Sequence, residues 1–175
     1  MTIIKYIMQP ILFVDLDGVL VDLRSGLSKA VGQDLKNFDK EQFDQTFYKF
    51  IKGLSYDQIY NFWTNLPFLG KPEDLWEKLQ KHQPLILSAA GNCVATCQGK
   101  KNWCKKHLKL DPERVFCSKR SSEKQFYASP KSILIDDQPR NIKQFKEKGG
   151  HAIVHTHPQK TLRELKKILK KIGFN

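Results

Sequence analysis

Asp15 and Asp17 stand one residue apart, Ser88 and Ala89 follow in mid-chain, Lys124 comes later, and Asp136 and Asp137 are neighbours. These are the residue types that phosphate chemistry uses. Carboxylates gathered in one place repel one another unless a cation sits among them, and ligands made only of oxygen favour Mg²⁺. A hydroxyl, an ammonium group and a helix start beside such a cluster suit a phosphoryl group. Each element of this set except the lysine directly follows a short apolar run: Ile11–Val14, Pro84–Leu87 and Ser132–Ile135.

Those runs are the strands that must position the set. Four apolar residues in a row read as a strand buried on both faces, as in a parallel sheet. In open parallel sheets ligands bind beyond the carboxyl ends of the strands, which is where the acids fall. The alternative is a hairpin, with Asp17-Gly18 as its turn and Val19-Leu20-Val21 returning. Between the first and second runs, residues 22–82 hold helical patterns and no strand. Asp39 and Gly53 bound one helix, Ser55 and Pro67 another, and Pro72 opens a third. From Pro84 onward strand and helix alternate, with further strands at Arg114–Cys117 and His151–His155 and a closing helix at Thr161–Ile172. Ser122 and Gln125 have capping-box spacing. The expected fold class is α/β, a Rossmann-like parallel sheet with right-handed crossovers.

A hydrophobic content of 40% with 11 Phe, 5 Tyr and 3 Trp excludes a disordered chain. No apolar run is long enough to span a membrane, and the first ten residues lack the pattern of a signal peptide, so a cytoplasmic location is expected. On that footing Cys93, Cys97, Cys104 and Cys117 are expected to be reduced thiols, and with His107 they match no common zinc spacing. The formal charge of +12 implies anionic partners, with its densest part in the last helix at Lys160, Arg163, Lys166, Lys167, Lys170 and Lys171. Charge does not choose between a small phosphorylated substrate and a polynucleotide.

Asp15-Leu16-Asp17-Gly18-Val19, then Ser88, a lysine, and Asp136-Asp137 resemble, in order, the four motifs of the haloacid dehalogenase (HAD) superfamily of phosphohydrolases. The resemblance implies a catalytic core formed by residues 1–21 and 83–175, with a helical cap at 22–82. It implies Asp15 as nucleophile, forming an aspartyl-phosphate, and Asp17 as general acid and then base. Ser88, Ala89 and Lys124 would bind the phosphoryl group, with Lys119 and Lys131 as other candidates for the motif lysine. Mg²⁺ would be held by Asp15, Asp17 (through its carbonyl), Asp137 and, more weakly, Asp136, with Asn141 near the metal through water. Asp-Gly-Val-Leu, Leu134-Ile135-Asp136-Asp137 and the Phe62-Trp63 stretch look most like the 5'(3')-deoxyribonucleotidase branch. A nucleoside monophosphate would then be the substrate, with Phe43, Phe47 and Trp63 as candidates for a base-stacking slot. Two rival readings are a HAD phosphatase for nucleic-acid 3'-phosphate ends or another metabolite, and a non-catalytic nucleic-acid-binding protein.

Overall fold

The structure, a computed structural model, describes residues 9–174. Most of the stretch read as free of a signal peptide (residues 1–8) lies outside the described residues. In chain order, β1 (Ile11–Val14) precedes α1 (Leu23–Val31), α2 (Lys40–Lys52), α3 (Tyr56–Thr64) and the short α4 (Trp76–Leu79). Then come β2 (Leu85–Ala89), α5 (Val94–Trp103), β3 (Val115–Ser118), β4 (Ser132–Asp136), α6 (Pro139–Glu147), β5 (His151–Val154) and α7 (Pro158–Lys171). Among the described residues the strands form one sheet, β3-β2-β1-β4-β5, paired in parallel throughout.

Both faces of that sheet are covered, which is why its strands read as unbroken apolar runs. Leu12 and Val14 point to one side with Ile86, Ile133 and Ile135, and Phe13 points to the other with Leu87, Leu134 and Phe145. β1 is therefore a central strand, and the hairpin alternative is excluded: the turn after Asp15 is closed by Leu20 N and Val21 N donating to Leu16 O at 2.8 Å each. The strand order reverses at β1, with β2 to one side and β4 to the other, so a crevice opens at its carboxyl end.

α2 and α3 begin at the expected caps. Asp39 caps α2 and Ser55 caps α3, each in a reciprocal capping box, and Gly32 closes α1 in the left-handed region. Two local expectations are corrected. The helix after Pro72 is broken into short pieces, a 3₁₀ turn over Pro72–Asp74, α4, and another over Gln80–His82. The 3₁₀ stretch at Ser121–Tyr127 is capped by the Glu123 carboxylate, which accepts from Lys119 N at 2.9 Å and Arg120 N at 3.3 Å. A charged acceptor wins those amides, and Gln125 instead donates to Ser122 O.

A third correction concerns sulfur. Cys97 on α5 and Cys117 on β3 are joined as a disulfide, with Cα atoms 5.9 Å apart, while Cys93 and Cys104 are free. Because α5 lies over the β3 edge of the sheet, residues 20 positions apart meet, a proximity that sequence spacing does not reveal. Burial pushes the Cys104 thiol up to about 12, so it is an inert core residue. No described helix is long and apolar enough to cross a membrane.

Candidate active site

Strand register brings the acids together. Val14 pairs with Ile135 on β4, so the next residue, Asp15, stands beside Asp136, with Asp15 N donating to Ile135 O at 2.9 Å. Lys124 arrives from the 3₁₀ stretch before β4 and lies between them, Nζ 2.7 Å from Asp15 Oδ2 and 2.6 Å from Asp136 Oδ2. It is 1% exposed, whereas Lys119 and Lys131 are exposed. Two carboxylates hold its ammonium charged and push its pKa up, against the opposing effect of burial. The second oxygen of Asp15 accepts from Leu16 N at 2.8 Å.

Asp136 is wholly committed. Besides Lys124 it accepts from Gln138 N at 2.8 Å and from Asn141 Nδ2 at 2.9 and 3.0 Å. Asn141 is thus turned onto Asp136, its own Oδ1 accepting from Ser121 Oγ at 3.0 Å, where a place near the metal was expected. Asp137 is held at one oxygen by Gln138 Nε2 at 2.7 Å and lines the cavity. Burial, then the charges of Asp15 and Asp136, push its carboxyl up to about 6. Gly18 takes φ +74° beneath it, and a Cβ there would run into the Asp137 carboxylate. Ligand atoms of Asp15, Asp136 and Asp137 all lie within 4.8 Å of one another, the one such His/Cys/Asp/Glu group among the described residues. The side chain of Asp17 is outside that group.

Asp17 belongs to a second cluster whose centre the sequence reading missed. Lys100 of α5, 2% exposed, places Nζ 2.6 Å from Asp17 Oδ2, 2.9 Å from Ser88 Oγ and 2.7 Å from Ala89 O. The same ammonium lies 4.3 Å from the centroid of the Trp63 ring. Burial raises the Asp17 carboxyl although Lys100 pulls it down, and Asp17 Oδ1 is buried without a hydrogen-bond partner. Lys100 stands beside Lys101 in a chain rich in lysine, with no motif of its own to single it out. The available signal was Gly99, since a glycine inside a helix marks a close approach. A Cβ there would stand 2.6 Å from Trp63 Cβ and 2.8 Å from Tyr60 O, so only glycine lets α5 settle onto α3.

A cavity of about 580 Å³ opens over the first cluster, lined by Asp15, Asp17, Lys124 and Asp137 from the sheet side and by Arg24, Lys40 and Phe43 from α1 and α2. Phe43 faces this space with the Arg24 guanidinium 4.6 Å above its ring. The other two candidates for the aromatic slot do not line it. Phe47 and Trp63 pack edge-to-face at 5.9 Å inside the helical layer, with Phe62 at 5.5 Å from Trp63. Ala89 also lines the cavity, whereas Ser88 is fully buried behind it.

Comparison with known proteins adds the following. No curated protein matches the chain. An enzyme of the HAD family from Bacteroides thetaiotaomicron, solved with magnesium and inorganic phosphate, is 17% identical with a TM-score of 0.47, covering 85% of this chain and 95% of its own. A HAD hydrolase of family IA, variant 3, from Entamoeba histolytica is 16% identical with a TM-score of 0.47, covering 95% and 91%. A hydrolase from Streptococcus pneumoniae is 13% identical with a TM-score of 0.46, covering 93% and 100%. The decisive match is to a family model, "5' nucleotidase, deoxy (Pyrimidine), cytosolic type C protein", over residues 9–167. With nearly the whole described chain inside that match, the protein belongs to this deoxynucleotidase family of HAD-superfamily phosphatases and is a phosphoric monoester hydrolase.

Proposed function

We propose that the protein is a Mg²⁺-dependent 5'(3')-deoxyribonucleotidase that removes phosphate from nucleoside monophosphates through an aspartyl-phosphate on Asp15, with residues 22–82 acting as its substrate-facing cap. The observation that carries this reading is the meeting of Asp15, Asp136 and Asp137 with Lys124 at the floor of a cavity walled by α1 and α2.

The donor set suits a hard divalent ion. All its atoms are carboxylate oxygens, and one lysine is too little charge for three acids. Burial first, and then the neighbouring charges of Asp15 and Asp136, raise the Asp137 carboxyl. Asp15 and Asp137 would hold the ion, because Asp136 is already saturated by Lys124, Gln138 and Asn141. When bound, Mg²⁺ supplies charge that screens the acids from an incoming phosphate dianion.

The chain's own groups divide the remaining work. Asp15 is the nucleophile: one carboxylate oxygen forms a bond to phosphorus as the bond to the leaving alcohol breaks. Lys124 keeps that carboxylate oriented and offsets charge on the phosphoryl oxygens. Asp17, whose pKa burial raises although Lys100 pulls it down, would give a proton to the leaving oxygen and afterwards take one from the water that cleaves the aspartyl-phosphate. Lys100 positions Asp17 and the end of β2, at Ser88 and Ala89, together. Phe43, with Arg24 above it, offers the base a stacking surface, worth about 1–3 kcal/mol per base. Clustered buried acids have no use in a binding module, so the reading of a non-catalytic nucleic-acid binder is withdrawn.

A phosphate-release screen across deoxynucleoside and ribonucleoside monophosphates, sugar phosphates and p-nitrophenyl phosphate tests the substrate. Highest kcat/KM is expected for a deoxynucleoside monophosphate. A sugar phosphate preferred over every nucleotide would overturn the reading.

A further inference from the structure

A smaller cavity of about 270 Å³ adjoins the large one, and Lys40, Ser121 and Gln138 line both. Its remaining wall is Ser122, Arg140 and Asn141. The two spaces differ in sign. The large cavity is faced by five acids (Asp15, Asp17, Asp22, Asp44 and Asp137) against the cations Arg24, Lys40 and Lys124, whereas the small one is faced by two cations, four neutral hydrogen-bonding side chains and no acid. Arg140 and Lys40 form no salt bridge among the described residues. Lys40 Nζ instead donates to Gln138 Oε1 at 3.3 Å, so this lysine of α2 meets the residue that opens α6 at the boundary between the cavities. Asn141 is held rigidly by Asp136 and Ser121.

We infer that this smaller cavity is a second anion subsite, so that the favoured substrates are phosphomonoesters carrying a further phosphate, such as a nucleoside 3',5'-bisphosphate. The inference rests on the nucleotidase reading and extends it. One phosphate lies at Asp15 and is cleaved. The other stays bonded to the substrate and lies between Lys40 and Arg140, where a guanidinium can donate to it in bidentate fashion. The dianion needs no metal there, since nothing acidic faces it.

The test compares kcat/KM for a deoxynucleoside 5'-monophosphate with that for its 3',5'-bisphosphate, in wild type, Arg140→Gln and Arg140→Glu. Arg140 is exposed and lies outside the large cavity, so all three proteins should fold and cleave the monophosphate alike. Wild type is expected to prefer the bisphosphate by about tenfold at low salt, a preference that shrinks as salt rises. Arg140→Gln should remove most of it, and Arg140→Glu should reverse it. Equal use of both substrates by wild type, or a preference untouched by either variant, overturns the inference alone. Stimulation of monophosphate cleavage by added sulfate, without a bisphosphate preference, assigns the cavity to a free anion and also overturns it. Cleavage of p-nitrophenyl phosphate with neither nucleotide used overturns the nucleotidase reading beneath it.

Discussion

Two buried lysines divide the site's negative charge between them. Lys124 serves Asp15 and Asp136, and Lys100 serves Asp17. Asp17 is 28% exposed and lines the cavity, so taking Lys100 away leaves a half-buried carboxylate that water can still reach, which costs less than the loss of a partner from a fully buried pair. Lys100→Met should therefore lower stability by about 1–3 kcal/mol, the range for leaving one buried polar group without its partner. In an Asp17→Asn background the same change should cost much less, a non-additivity read by urea unfolding. The pH profile separates positioning from mere packing. Lys100 pulls the Asp17 pKa down, so without it that pKa rises further and Asp17 keeps its proton to higher pH. If Asp17 is the general acid, the alkaline limb of kcat/KM moves to higher pH in Lys100→Met. An unmoved limb would reduce Lys100 to a structural residue.

At the scale of elements, α2 and α3 do different jobs although both carry aromatics on one face. Phe43 reaches the cavity under Arg24, while Phe47 and Trp63 join α2 to α3 and the Trp63 ring roofs Lys100. Phe43→Ala should therefore cost about 1–3 kcal/mol in kcat/KM for a nucleoside monophosphate and leave p-nitrophenyl phosphate untouched. Trp63→Ala should impair both substrates, because it unroofs Lys100. Equal losses for both substrates in Phe43→Ala would deny the slot. The strands, the caps at Asp39 and Ser55, and the order of the acids were all legible in the sequence, because a buried parallel strand and a helix cap are local patterns. Tertiary facts were not. Lys100 and Lys101 are neighbours of one type, yet one is buried on Asp17 and the other is not. What separates them is the approach of α5 to α3 at Gly99, together with where β2 ends. Cys97 and Cys117 meet for the same kind of reason. Trp63 had the right residue type for a base slot, but the facing helix decides where its ring goes.

For the molecule as a whole, +12 of net charge surrounds a cavity floored by acids. On the proposed reading the outer field draws phosphates in, and the inner acids need a cation before a dianion can approach. Family membership, sheet order and the acid cluster support the proposed chemistry, in which Asp15 attacks phosphorus and Mg²⁺ is required. Phosphate release from a deoxynucleoside 5'-monophosphate, followed for wild type and Asp15→Asn with Mg²⁺ and with excess EDTA, tests that claim most directly. Release by wild type with Mg²⁺ alone is expected, with no turnover by Asp15→Asn in either condition. Undiminished release by Asp15→Asn, or by wild type in EDTA, would contradict it.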